Sequence, residues 1–546
     1  MAPTADLTSH AAAPAPAPAD APVIAAPEDA VLTVEEALRA KFAHLDNHIN
    51  HYPADILQIL HMDGMISLAG GLPHPSLFPF DSLHVSAYEP STRMATNPTE
   101  IAKVDVCVEK KPSSYSTNLS TTLQYGPFNE IKPVMDWMST FIERVYAPGY
   151  SDWQLLMDGG STDGWAKIAG MLLKEGDNLL VETHTFPSAQ AMWVPMGVNA
   201  VPVDIDMYGL RPDALARTLE FWETERPGER KPKVLYCVPV GHNPTGSTLS
   251  ADRKQQIYDI CVKHDVVIVE DDLYYFLQLP TYEPDGSREL APSGTEPEAC
   301  LARLTVSKTL APGFRLGFIV SNPLFHERLA RATEVLTQAA SGWSQTIFSE
   351  LIHTWGQDGY IRWLEGISET YTVRRNWMCD SLAAHFDVDW DDVTAVGVLT
   401  YQKDAQRTVS LFRFVPPTSG MFLWLDLDLQ MHPAWEELSK ADCAGIPGEE
   451  VWAAAFWRKL LDARVLLAPG TYTKPWQDAS RSSAPTVRGH AFFRLTYSST
   501  PRDEMDEGIR RLASEKRRRP LAGEEPRSRT MLSVTIGPQL DNLEDT

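Results

Sequence analysis

Lys308 stands seven residues before Arg315 in Thr305-Val306-Ser307-Lys308-Thr309-Leu310-Ala311-Pro312-Gly313-Phe314-Arg315-Leu316-Gly317, with hydroxyls beside the amine and a Pro-Gly turn between the cations. A lysine that forms a Schiff base with an aldehyde cofactor needs such a setting. Neighbouring hydroxyls and a fixed guanidinium can hold the cofactor's phosphate while the amine reaches its carbonyl carbon. Three upstream stretches carry compatible chemistry. In Asp158-Gly159-Gly160-Ser161-Thr162-Asp163-Gly164, small residues open a helical segment, where backbone amides bind anions. The spacing is neither that of a P-loop nor GxGxxG, and a plain helix cap by Ser161 or Thr162 is the competing reading. Pro239-Val240-Gly241-His242-Asn243-Pro244-Thr245-Gly246 is rich in turn formers. Asn243 there either shapes a turn or donates a hydrogen bond to a ring oxygen. Val269-Glu270-Asp271-Asp272-Leu273-Tyr274-Tyr275 offers carboxylates at the end of an apolar run. A carboxylate so placed can keep a pyridine nitrogen protonated, or can simply cap the next element.

Each stretch follows a short apolar run. Such runs lie at residues 153–157, 178–181, 234–238, 266–269, 302–306 and 317–320, alternating with helical segments such as 165–174. Continuous apolar runs of this length fit strands buried on both faces of a mostly parallel sheet. The expected fold class is therefore α/β, with helices on both faces and ligands beyond the strands' carboxyl ends. Helical periodicity fills residues 324–382, and a smaller α+β region follows with strand-like runs at 420–426, 465–468 and 492–497. Order is expected from about Val31, with a helix start at Thr33 and Glu36. Residues 83–119 are polar and erratic in pattern, and read as a long insertion or mobile loop.

Composition bounds the function. The 546 residues suggest two or more domains, and 43% hydrophobic content gives a large core. A net charge of −24, spread along the chain, opposes nonspecific nucleic-acid binding and favours an acidic enzyme. Six widely spaced cysteines suggest neither a zinc site nor a disulfide framework, and fit a reducing compartment, the cytoplasm. No apolar stretch is long enough to span a bilayer. The Ala/Pro-rich arm of residues 1–30 lacks Lys and Arg, fits neither a secretory signal nor a mitochondrial presequence, and reads as disordered. The tail from Ser514 reads likewise, with its basic Lys516–Arg519 run taken as a solvated face. His44, His48 and His51 share a helix face without a completing carboxylate or Cys cluster, so no metal site is expected. Asn118-Leu119-Ser120 is a glycosylation triplet that nothing directs to the secretory path.

The ordered set of phosphate loop, Asn-Pro-Thr-Gly, Asp-x-x-Tyr, Ser-Lys and Arg resembles the fold-type-I pyridoxal phosphate enzymes, specifically class I aminotransferases. The likeness covers roughly residues 31–513. Ser67-Leu68-Ala69-Gly70-Gly71-Leu72-Pro73, Leu123-Gln124-Tyr125-Gly126 and Ser419-Gly420-Met421-Phe422-Leu423-Trp424 narrow it to the fungal aromatic and 2-aminoadipate/kynurenine aminotransferase II branch. The resemblance implies a large cofactor-binding domain over residues 120–365 and a smaller α+β domain from 31–82 and 366–513. The insertion at 83–119 and the tails at 1–30 and 514–546 complete that division.

The resemblance also implies roles. Lys308 is the Schiff-base lysine and proton carrier. Asp272 pairs with the pyridine nitrogen, while Asn243 and Tyr275 bond the ring's phenolic oxygen. Ser161, Thr162, Ser307 and Arg315 hold the phosphate, with Thr305 as a helper. Phe186 stacks on the ring where many relatives have Tyr. Tyr125 reaches the phosphate of a neighbouring subunit, making the unit a homodimer. Arg494, in Phe492-Phe493-Arg494-Leu495, forks onto the substrate's α-carboxylate, with Gly71 and Asn243 also lining the substrate site. The implied reaction is ping-pong transamination of Phe, Tyr or Trp with a 2-oxo acid, 2-oxoglutarate being expected. Alternatives are 2-aminoadipate or kynurenine transamination, a lyase or decarboxylase on the same scaffold, and a cofactor-binding transcription regulator. The carboxylate clamp argues against the decarboxylase, and the absence of a basic helix-turn-helix argues against the regulator.

Overall fold

The computed structural model describes residues 66, 71–90, 102–110, 117–125, 131–284, 301–391, 396–404, 407–431, 435–438, 446–475 and 488–517. The expected helix start at Thr33, the histidines 44, 48 and 51, and residues 67–70 and 126 lie outside them, as does the end of the basic run. In chain order the strands are β1 (Ser82–Tyr88), β2 (Lys103–Glu109), β3 (Gln154–Asp158), β4 (Asn178–Glu182), β5 (Asn199–Val203), β6 (Ile205–Asp206), β7 (Gly209–Leu210), β8 (Val234–Cys237), β9 (Val267–Asp271), β10 (Leu301–Thr305) and β11 (Gly317–Ser321). They are followed by β12 (Asp387–Trp390), β13 (Gly397–Asp404), β14 (Arg407–Phe414), β15 (Phe422–Asp428), β16 (Ala468–Pro469) and β17 (His490–Thr496).

The first sheet runs β3-β11-β10-β9-β8-β4-β5. Neighbours pair in parallel except around β11, which is antiparallel to both β3 and β10. All five residues of β4 are buried, which explains why its sequence reads as one apolar run rather than an alternation. Helices α1 (Lys132–Tyr146), α2 (Ser161–Leu172), α3 (Pro187–Trp193), α4 (Pro212–Glu220), α5 (Ala251–Lys263) and α6 (Pro323–Leu336) flank it. Two clusters form its core. Phe141, Leu155, Phe318 and Phe348 belong to one, and Leu180, Leu215, Trp222 and Ile268 to the other.

The second sheet, β12-β13-β14-β15-β17-β16, is antiparallel throughout. Helix α8 (Gly448–Asp462) and helix α9 (Arg502–Arg517) belong to this part of the chain, and α9 carries the order three residues past Ser514. The long helical stretch is α7 (Gly342–His385), two helices meeting at Gly356, whose φ of 64° breaks the run.

The stretch read as an insertion or mobile loop carries β1 and β2, paired antiparallel from Ser82↔Glu109 to Tyr88↔Lys103. Its half-buried positions alternate strictly, with Leu83, Val85 and Ala87 facing Val104, Val106 and Val108 in the ladder. That period of two was present in the sequence, hidden by polar residues on the other face.

Candidate active site

The carboxyl ends of β3, β4, β8, β9 and β10 deliver the loops that carry the chemistry, as a parallel sheet requires. A cavity at this edge is lined by Ser161, Thr162, Trp165, Phe186, Ser188, Ala189, Asp271, Leu273, Ser307, Lys308, Pro312 and Arg315. Six of the residues singled out from sequence therefore meet in one place: Ser161, Thr162, Phe186, Ser307, Lys308 and Arg315.

The turn after β3 is built for an anion. Gly160, at φ 98°, is the N-cap of α2 and no side chain caps the helix, so Ser161 and Thr162 do not act as plain caps. A Cβ on Gly160 would stand 2.5 Å from Arg315 Nη2, so the guanidinium lies directly over the bare backbone. Arg315 holds a left-handed φ of 50° and donates to Ser307 Oγ at 3.2 Å and to the Pro312 carbonyl at 2.8 Å. Strain of this kind persists where surrounding contacts over-determine the backbone. The helix N-terminus adds its own positive field.

Lys308 lies half-buried on the same wall. Burial, and then the Arg315 charge, push its amine below the ordinary lysine value, with Asp271 opposing. Phe186, at the start of α3, supplies a flat apolar wall. Thr305 ends β10 opposite Gly317 in the ladder, next to this turn.

The strand end offers two aspartates and two tyrosines. The sequence reading chose Asp272 and Tyr275, yet Asp271 lines the cavity and accepts a hydrogen bond from Tyr236 OH at 2.7 Å. β9 continues to Asp271, two residues beyond the apolar run, and adjacent strand residues point to opposite faces. Asp272 is buried away from the cavity wall, and burial raises its carboxyl to about 8, with Lys254 opposing. Tyr275 stacks on Tyr146 at 4.1 Å and donates to the Val145 carbonyl at 3.4 Å. Tyr274 instead feels the charges of both Asp271 and Arg494, and burial pushes its phenol up. Glu270-Asp271-Asp272-Leu273-Tyr274-Tyr275 holds two overlapping Asp-x-x-Tyr frames, so spacing could not choose between them.

Arg494 and Asn243 come together across 251 residues of sequence. Arg494, on β17, donates from Nη1 to Asn243 Oδ1 at 2.6 Å, and its guanidinium sits 4.5 Å from the centre of the Phe422 ring. Burial lowers its pKa, with Tyr274 opposing. The structure does not bring every expected residue to the cavity. Gly71 is exposed, and Tyr125 keeps 62% of its surface exposed, with neighbouring Gln124 donating to the Pro73 carbonyl at 2.7 Å. Asn118 of the glycosylation triplet is buried and accepts from Thr121 N at 3.0 Å. Among the described residues there is no cluster of three or more metal-ligating side chains and no helix long and apolar enough to cross a membrane.

The family model described as aminotransferase class I and II matches residues 103–512. The chain belongs to this family. It is 33% identical to an aromatic amino acid aminotransferase of Schizosaccharomyces pombe, over 82% of this chain and 90% of that protein. It is 29% identical to the mitochondrial kynurenine/alpha-aminoadipate aminotransferase of Mus musculus, over 82% of this chain and 91% of that one. The structure of aminotransferase Aro8 from Candida albicans overlays with a TM-score of 0.73 at 30% identity, covering 87% of this chain and 98% of that one. The fold is thus the fold-type-I aminotransferase fold, and the enzyme is a transaminase that uses pyridoxal phosphate. The residues present fit that cofactor. A partly buried amine, a carboxylate, an apolar ring wall and a hydroxyl-guanidinium cradle over a Cβ-free turn converge on one cavity.

Proposed function

We propose that this aminotransferase moves the amino group of Phe, Tyr or Trp to a 2-oxo acid, 2-oxoglutarate, in two half-reactions on one site. The observation that carries the mechanism is the convergence of Lys308, Asp271 and Arg315 on one cavity wall. The relatives named for aromatic amino acids support the substrate class.

When bound, pyridoxal phosphate supplies an electron sink for the pair left at the substrate's Cα. Ser161, Thr162, Ser307 and Arg315 hold its phosphate at the start of α2. Asp271 keeps a proton on the ring nitrogen. Asn243 and Tyr274 would bond the ring oxygen, and Phe186 would supply the apolar wall against the ring. Lys308 holds the cofactor at rest and then carries the proton released from Cα. Its lowered pKa increases the share of neutral amine able to accept that proton. Arg494 and Asn243 clamp the α-carboxylate and so orient the bond to be broken.

The active unit is a cytoplasmic homodimer in which Tyr125 serves the partner's phosphate. Its exposure, with that of Leu72 and Leu77, supports a covering second copy. Following the cofactor's visible absorbance in purified protein as single amino acids are added tests the reading. Stoichiometric conversion with Phe, Tyr or Trp, faster than with kynurenine or 2-aminoadipate, is expected. The reverse ranking assigns the activity named for the mouse relative.

A further inference from the structure

The turn that carries Asn243 rests on buried polar side chains that the proposed chemistry leaves unused. Glu182, at the end of β4, has no exposed surface, and His242 is 1% exposed. His242 Nε2 stands 2.9 Å from Glu182 Oε2, and the same oxygen accepts the Val238 N–H at 3.1 Å where the chain leaves β8. On the far side of the ring, His242 Nδ1 lies 2.7 Å from Thr245 Oγ1. The backbone closes the same turn, His242 N–H donating to the Ser247 carbonyl and Gly246 N–H to the His242 carbonyl. Drawing a carboxylate and an imidazole out of water is costly unless geometry and further hydrogen bonds offset it, and apolar side chains would fill the space without that cost. What the pair contributes is direction. Its contacts span the end of β4, the exit of β8 and both arms of the turn, and Asn243 then receives Arg494 at 2.6 Å.

We propose that Glu182 and His242 are positioning residues that fix Asn243 and, through it, aim Arg494 at the substrate's α-carboxylate. This rests on the aminotransferase reading of Arg494. The test is the affinity of the cofactor-loaded protein for 3-phenylpropionate, an aromatic acid with no amino group to transfer, measured by calorimetry. His242→Phe and Glu182→Gln are each measured with Arg494 present and in an Arg494→Ala background. Glu182→Gln keeps the side-chain volume and serves where the His242 variant fails to fold. With Arg494 present, each substitution weakens binding about tenfold. In the Arg494→Ala background the already weak binding does not change further, because no guanidinium remains to be misdirected. Unchanged affinity, or an equal loss with and without Arg494, overturns the proposal. Failure of the unsubstituted, cofactor-loaded chain to bind the acid overturns the reading of Arg494 as the carboxylate clamp for an aromatic substrate, and the proposal with it.

Discussion

Two neighbouring aspartates of one strand end have different surroundings, Asp271 on the cavity wall and Asp272 buried off it, and substitution tests the roles proposed for them. Asp271→Asn removes the charge that holds the ring nitrogen protonated, and kcat falls on the order of a hundredfold or more. Asp272→Asn leaves turnover within a few-fold, because that carboxyl stays off the cavity wall. Steady-state kinetics on the two variants decides between them, and the opposite ranking restores the frame first read from sequence. Arg494→Lys keeps the charge but loses the fork, so KM for the amino acid rises roughly ten- to a hundredfold with a smaller change in kcat. Lys308, Arg315 and the hydroxyls were legible as residues of one cavity at this scale because each has few chemical equivalents. The aspartate was not, since two residues satisfy one spacing and only the direction of the strand's last side chain distinguishes them.

At the scale of elements, the turn between β3 and α2 carries a sharp prediction. Gly160 combines a φ of 98° with a guanidinium where a side chain would stand. Gly160→Ala therefore displaces Arg315, and cofactor affinity, read by fluorescence titration of the cofactor-free protein, drops about tenfold or more. Buried titratable groups on the strand ends give stability a pH signature. Asp272 has a folded value of about 8, above its ordinary 3.8. Its contribution is therefore complete below 3.8 and is lost as pH rises through 8. His184 is held at about 3 by burial, below 6.5, so its contribution is complete above 6.5 and is lost as pH falls toward 3. In thermal melts, Asp272→Asn accordingly gains on the unsubstituted chain as pH climbs from 4 to 9, and a difference independent of pH refutes the raised value. The sheet strands were readable because burial on both faces leaves an apolar run. The paired strands β1 and β2, and β12, were not, because every second residue of each is exposed.

The whole molecule brings together residues that sequence distance keeps apart. The second sheet lays Arg494 and Phe422 against the loops of the first, and Thr473 ties into the same edge through His184 Nδ1 at 2.9 Å and Thr185 N at 2.7 Å. Light scattering of the full chain is expected to give twice the chain mass. Tyr125→Phe then weakens cofactor binding about tenfold through the partner's site, and a monomer with full cofactor affinity excludes Tyr125 from that role. By itself the sequence determined the α/β class, the family and the order of the chemical stretches, because buried strands and special turns demand particular residue types locally. Tertiary structure alone decided which of two aspartates enters the cavity, that Asn243 meets Arg494, and that Glu182 and His242 stand behind them. Those depend on side-chain direction and on contacts across hundreds of residues, which no local pattern encodes.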